Sequence, residues 1–157
     1  MSLRLFGNTD KALSSGERKM VKFAVSDIMC AVDIMNVREI IQPRATSPLP
    51  SHRRTVIGVI DHRDAAIPVI DLRIRFDVPQ TKGPKQKWII IALEERRVAL
   101  VVDNVFGVTT VQLNQQRDHS SLSEETDVSW AENVYGDESG LLFELDLEHL
   151  SQLTGAK

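Results

Sequence analysis

Lys22-Phe-Ala-Val-Ser-Asp-Ile-Met-Cys-Ala-Val-Asp-Ile-Met-Asn-Val-Arg-Glu-Ile-Ile41 and Ile90-Ile-Ala-Leu-Glu-Glu-Arg-Arg-Val-Ala-Leu-Val-Val-Asp-Asn-Val-Phe-Gly-Val-Thr109 decide the fold, because the second echoes the first at an offset of 68 residues. Phe23-Ala24-Val25 lies over Ile91-Ala92-Leu93, and Ala31-Val32 over Ala99-Leu100. Asn36-Val37 meets Asn104-Val105, and Ile40 meets Val108. In each stretch a run of strand length turns through polar residues into a second run and then steps into a third. Met20–Val25 alternates apolar and polar residues, as a half-buried strand does. Trp88–Leu93 and Val98–Val102, joined by the charged turn Glu94–Arg97, are near-continuously apolar, as strands covered on both faces are. A unit that occurs twice does not stack as a solenoid. Two related barrel-like halves around a shared core satisfy the pattern.

The remaining segments follow from the same signals. Ser26-Asp27 turns the chain into a returning strand, Ile28–Val32, and Asp33 caps an expected short helix over Ile34–Ile41. Pro43, Pro48 and Pro50 make a stiff loop. Thr55–Ile60 and Ala65–Ile70 form an expected hairpin turning at Arg63-Asp64, with Pro68 at a sheet edge or beside a bulge. A helical turn over Asp71–Phe76 and a strand over Val105–Leu113, interrupted at Gly107, come next in their places. Residues 114 to 129 read as polar loop, followed by short β pieces around Val128–Val134 and Gly140–Phe143. Glu144–Leu153 reads as a closing helix that can begin as a strand. The expected organisation is a flexible leader over residues 1–18, one domain over residues 19–153 and a tail over 154–157. The polar run Gln80–Lys87 marks the division between its halves in linear order.

A chain of 157 residues with 42% hydrophobic and 26% charged residues buries a core of its own and needs no disulfide or metal to fold. Its single cysteine, Cys30, allows no internal disulfide and no multi-cysteine metal site. Nineteen basic and twenty-two acidic residues give a net charge of -3, which speaks against a dedicated nucleic-acid binder. Residues 38 to 97 are basic and residues 114 to 157 acidic, an asymmetry suited to steering a protein partner. No apolar run is long enough to insert in a membrane, and the start carries no sustained apolar region, so the expected location is cytoplasmic.

The chemistry of catalysis is thin. His52, His62, His119 and His149 have no metal-ligand spacing, and Cys30 sits in an apolar strand without a basic neighbour. His62 beside Asp61 and Asp64 has the makings of a carboxylate-oriented base, and a small hydrolytic enzyme using His62 or His119 is the weakest alternative, since a turn histidine next to acids is far more often solvated. No nucleophile elbow and no glycine-rich phosphate loop occur. The acids Glu124, Glu125, Asp127, Glu132, Asp137 and Glu138 lie in a polar stretch that does not converge them. The residues therefore point to a binding protein and not an enzyme. Gly58, inside a strand, marks either a bulge or sheet crossing, or the approach of a partner element. Arg63, at a tight turn, presents its guanidinium to solvent, a local acid or a partner's acid.

Phe23–Val25, Ala31-Val-Asp-Ile34 and Val37-Arg-Glu-Ile-Ile41 are followed, after Pro48-Leu-Pro50, by Val56-Ile-Gly-Val-Ile60, Arg63 and Ile67-Pro-Val-Ile-Asp-Leu-Arg73. Ala99-Leu-Val-Val-Asp103, Val105 and Leu142–Leu150 complete a series that resembles the CheW-like domains of bacterial chemosensory arrays, in order and spacing, over residues 20 to 153. The resemblance implies an all-β fold of two five-stranded SH3-like barrels around a shared hydrophobic core, with short helices. It implies a scaffold of two-component signal transduction, without cofactor or metal. Such an adaptor couples methyl-accepting chemoreceptors, at their cytoplasmic tips, to the regulatory domain of a CheA-type histidine kinase, and resides in the cytoplasm with membrane-bound or soluble receptor arrays. The partner-binding positions it implies are Val37, Glu39, Gly58, Arg63, Asp64, Val102, Asp103, Val105 and Val108. Asp64 stands where the family's N-L-R-G turn has glycine, and Ala99 where many members have glycine. The departures fit a divergent chemosensory pathway, and a second role stays open, that of an array component that does not activate kinase.

Overall fold

Strand β1 (Glu17–Val25) turns at Ser26, which takes a left-handed φ of 55°, into β2 (Ile28–Asp33). The carboxylate of Asp33 accepts the Met35 amide at 2.9 Å and caps a single 3-10 turn, Ile34–Asn36. The expected helix ends there. Val37–Ile41 is instead strand β3, paired antiparallel with β6 (Lys87–Leu93). Its β-branched residues find a partner strand, and tertiary pairing overrides the helical spacing of Ile34, Val37 and Ile41. The structure, a computed structural model, describes residues 16–50, 53–80, 83–124 and 126–153. Most of the expected leader and all of the expected tail lie outside the described residues.

The hairpin of β4 (Val56–His62) and β5 (Ala65–Asp71) leads into α1 (Leu72–Phe76), whose N-terminus is capped by Asp71. Strand β7 (Arg96–Val102) follows β6. It is succeeded by β8 (Asn104–Gln112), the two-residue β9 (Gln116–Arg117), β10 (Ala131–Asp137), β11 (Gly140–Leu145) and α2 (Leu147–Leu153). One sheet has the order β8-β1-β2-β11-β10-β9 and the other β3-β6-β7-β5-β4. The sixth strand of the first sheet, β9, is the bent continuation of β8 folding back onto β10. Ser47, past β3, does the same to Val59 of β4. Both sheets therefore curl into barrels.

Residues 80–87 separate the two copies of the repeat, β1–β5 and β6–β11, but not the two sheets, since β6 and β7 share a sheet with β3, β4 and β5. The chain changes sheets at β2–β3 and again at β7–β8. Each half thus contributes a hairpin to one barrel and sends its third strand into the other. Pro68 is on no edge either: β5 lies between β4 and β7, and its parallel ladder with β7 begins one residue later, at Val69.

The sequence echo is an echo of register. Val37↔Ile91, Glu39↔Ile90 and Ile40↔Ile89 in one barrel recur as Phe23↔Val105, Lys22↔Gly107 and Val21↔Val108 in the other, bulge included. The duplication also runs further than the sequence reading took it. The pairs Val56↔Ile70 to His62↔Ala65 recur as Ala131↔Leu145 to Asp137↔Gly140, again with the bulge.

The apolar runs are explained by alternation. Ile89, Ile91, Leu100 and Val102 face the core between the sheets with Phe23, Val25 and Val32. Trp88, Ile90, Ala99 and Val101 face the other way, with Ile60, Ile67 and Val69. Successive side chains point to opposite faces, so a strand buried on both reads as an unbroken apolar run.

Candidate functional site

The second barrel closes through polar contacts between its two edges. Ser47 exchanges backbone hydrogen bonds with Val59, at 2.8 and 3.0 Å. That approach is why position 58 is glycine. A Cβ there would come within 2.7 Å of the Thr46 Cβ and 2.8 Å of the Ser47 carbonyl oxygen. The element that approaches Gly58 is the chain's own, and the β4–β5 register also shifts between Val56 and Gly58, the bulge that a glycine inside a strand suggests.

Further along the same seam, Glu39 of edge strand β3 meets the end of edge strand β4. The Arg63 guanidinium donates from Nε to Glu39 Oε1 at 3.0 Å and from a terminal nitrogen to Oε2 at 3.1 Å. His62 Nε2 lies 2.9 Å from the same Oε1. Arg63 and Asp64 hold the central positions of the β4–β5 turn with φ of 51° and 66°. Two left-handed residues in succession match the twist of a hairpin and cost least with glycine or asparagine. The turn carries this strain and aims Arg63 back across the barrel seam. Its side chain remains 68% exposed while Glu39 is 33% exposed. Among the described residues Asp64 forms no ion pair with Arg63, so it does not compete for the guanidinium as its position in the sequence suggests.

Hydrogen bonds from Arg63 and then His62 hold the Glu39 carboxyl down to about 2, from an ordinary 4.5. Because the folded value is depressed, the contribution of this clamp is complete above pH 4.5 and is lost as the pH falls toward 2. Amide exchange of β3 and β4 at the seam should therefore accelerate over that window. In Arg63→Ala the acceleration should begin closer to pH 4.5; an unchanged profile would show that Arg63 does not hold the carboxylate.

The other expected positions fall into three environments. Val37 and its counterpart Val105 are half-buried, packed against the shared core, and leave part of their surface open. Val102 is wholly buried in that core, so its side chain is closed to a partner. Asp103 is a bracket inside the fold. It accepts the Ser26 amide at 2.6 Å and the Arg73 guanidinium at 3.1 Å, while its own amide donates to the Ala24 carbonyl. Val108 is 58% exposed on β8, an edge strand of the first sheet.

His62 finds its carboxylate on another strand: it is buried against Glu39 and not set between Asp61 and Asp64, in a place where the family pattern has leucine. One functional candidate escaped the sequence reading. Phe106, 51% exposed, stands two residues before Val108 on the same strand, with Lys22 Nζ at 5.9 Å from its ring centre. The signal for Phe106 lay in the alternation Phe106-Gly-Val108, which reads as a core stripe until the edge position of β8 is known.

The profile of the CheW-like domain family matches residues 19–154. A chemotaxis protein CheW of Rhizobium meliloti is 30% identical over 142 residues, 90% of this chain and 92% of that protein. A chemotaxis protein CheW of Bacillus subtilis is 30% identical over 136 residues, 85% of this chain and 86% of that one. The crystal structure of the scaffolding protein TtCheW from Thermoanaerobacter tengcongensis matches with a TM-score of 0.75 at 23% identity, covering 82% of this chain and 88% of that chain. At that identity the structural likeness speaks for the fold.

Proposed function

The chain belongs to the CheW-like domain family, and from that membership we propose that it is a chemotaxis scaffold, an adaptor that works by holding other proteins together. Within that role it couples the cytoplasmic tip of a methyl-accepting chemoreceptor to the regulatory domain of a CheA-type histidine kinase. The observation that carries this reading is the Glu39–Arg63 clamp: a rigidly aimed guanidinium, two-thirds exposed, on the seam of a closed barrel. A planar fork so oriented suits a partner carboxylate or carbonyl and loses little side-chain entropy on contact. The half-buried Val37 on β3 and the exposed Val108 and Phe106 on β8 supply apolar surface of the kind that anchors partners. Catalysis has no part in this reading. Cys30, for example, is a buried thiol whose burial pushes its pKa up, away from the reactive thiolate. No helix among the described residues is long and apolar enough to cross a membrane, and the proposed location is the cytoplasmic face of receptor arrays.

Titration of the protein against a receptor-tip fragment and against a kinase regulatory domain, at two salt concentrations, tests the reading. Arg63→Ala should weaken at least one partner about tenfold and flatten its salt dependence, with little change in melting temperature. Glu39→Ala should weaken binding comparably and lower the melting temperature more than Arg63→Ala, since it also strips buried His62 of its partner. Asp64→Gly should raise the melting temperature, because glycine relieves the left-handed turn, and should strengthen receptor binding by removing a negative charge beside Arg63. Curves indistinguishable from the parent for both partners would place the clamp outside the interfaces. Binding of both partners without any stimulation of kinase activity would favour the non-activating array component instead.

A further inference from the structure

The Glu39–Arg63 clamp has a third member, His62, and the first barrel shows the seam without any of the three. The duplicated register puts Gly107 there where Glu39 stands in the second barrel, and Asp137, Glu138 and Ser139 in place of His62, Arg63 and Asp64. A Cβ on Gly107 would meet nothing within 4 Å, and a cavity of about 310 Å³ opens between Phe106 and the Asp137–Gly140 turn.

In the second barrel the same place is filled from the inside. His62 is 6% exposed, and its Nε2 lies 2.9 Å from Glu39 Oε1, the oxygen that also accepts from Arg63 Nε at 3.0 Å. An ionised carboxylate only accepts, so Nε2 carries a proton and donates it. Nδ1 is buried without a hydrogen-bond partner, and a proton on it would find no acceptor. The ring is therefore the neutral tautomer with its proton on Nε2.

Arg63 needs this support because of its neighbours. Its side chain is 68% exposed, and an exposed pair is held weakly, since screening by solvent and lost side-chain freedom offset the attraction. Asp61 and Asp64 flank it, both exposed, and offer rival carboxylates. The guanidinium nevertheless lies on Glu39, through Nε and a terminal nitrogen. A donor fixed in the buried layer holds the Glu39 carboxylate in the plane that this two-bond contact requires. Leucine, which the family pattern has at this place, fills space but donates nothing.

We propose that His62 is a positioning residue for Arg63: it locks the Glu39 carboxylate from the core side and so keeps the guanidinium on Glu39 and away from Asp61 and Asp64. That Arg63 in turn contacts a partner rests on the adaptor reading. Its positioning does not, and is measured in the free protein.

The nitrogen-15 spectrum of the His62 ring at neutral pH should show a protonated Nε2 and a bare Nδ1. His62→Leu should speed exchange of the Arg63 Nε proton with water about fivefold, the equivalent of one neutral hydrogen bond. It should also raise the pH at which the Glu39 carboxyl titrates, from about 2 toward the ordinary 4.5. His62→Gln, which keeps a donor, should restore both values. A packing role alone predicts the reverse order, with leucine keeping both and glutamine losing them. On the leucine background, Asp61→Asn with Asp64→Gly should slow the exchange again, because the rivals are gone. A proton found on Nδ1 overturns the proposal, as do leucine and parent values that coincide. So does faster exchange in His62→Leu that removal of both rivals leaves unchanged. If the free protein changes as stated while titrations of His62→Leu with a receptor-tip fragment and a kinase regulatory domain match the parent, the positioning stands and the partner role of the clamp falls.

Discussion

Arg73→Leu should destabilise the protein by about 3–5 kcal/mol, the usual cost of removing one partner from a buried ion pair. Arg73 and Asp71 have side chains 6% and 5% exposed and are joined by two hydrogen bonds, at 2.9 and 3.1 Å. A third bond, at 3.1 Å, reaches Asp103 at the crossing from β7 to β8. Burial opposes the charge on Arg73, yet its hydrogen bonds to Asp71 and Asp103 and the attraction of both carboxylates together outweigh that opposition and hold the guanidinium more firmly protonated than usual. Leucine of similar bulk would leave the Asp71 carboxylate buried without its cation. It would also cut the link between α1 and the strand that passes into the other barrel. Arg73→Lys keeps the charge but not the planar fork, and should cost less than the leucine variant. Urea unfolding of both variants measures the difference; a loss below about 1 kcal/mol for Arg73→Leu would mean that the pair is solvated in the native state.

Arg18→Leu should cost about as much, again about 3–5 kcal/mol, because it strands Glu144, which is 5% exposed, together with Asp33. The informative companion removes the whole network. Arg18 donates to Asp33, Glu144 and the Tyr135 hydroxyl, and the duplicated register sets Gln86, Val101, Val69 and Ile60 at the corresponding positions of the second barrel. Arg18→Gln with Asp33→Val, Glu144→Val and Tyr135→Phe therefore brings the first barrel close to the composition of the second. Replacement of a buried ionic cluster by apolar residues is often neutral or stabilising. The fourfold variant should therefore recover most of the loss, short of about 1 kcal/mol for the Asp33 cap of the 3-10 turn. If it is no more stable than Arg18→Leu, the network supplies net stability and does not merely satisfy its own charges.

The amino-acid sequence by itself determined the strands, the turns and the duplication. These rest on local rules: alternation of side chains, left-handed turn positions at Ser26, Arg63 and Asp64, and the caps at Asp33 and Asp71. The family motif also lay within single segments and was legible there. What only the tertiary structure decided depends on which segments meet. The fate of Val37–Ile41 hung on a partner strand some fifty residues away, so helical spacing misled there. The crossing of the chain between barrels at β3 and β8 means that residues 80–87 divide the repeat and not the barrels, because sheet membership follows pairing and not chain order. Gly58 is set by Thr46 and Ser47 closing over it, and Asp103 by Ser26 and Arg73 converging on it, contacts that no spacing announces. Val102 and Val108 carry the same side chain in consecutive strands of different sheets, yet one is sealed in the shared core and the other is open to solvent. The residue type fixes the gain from burial, but only the assembled sheets fix which face is covered.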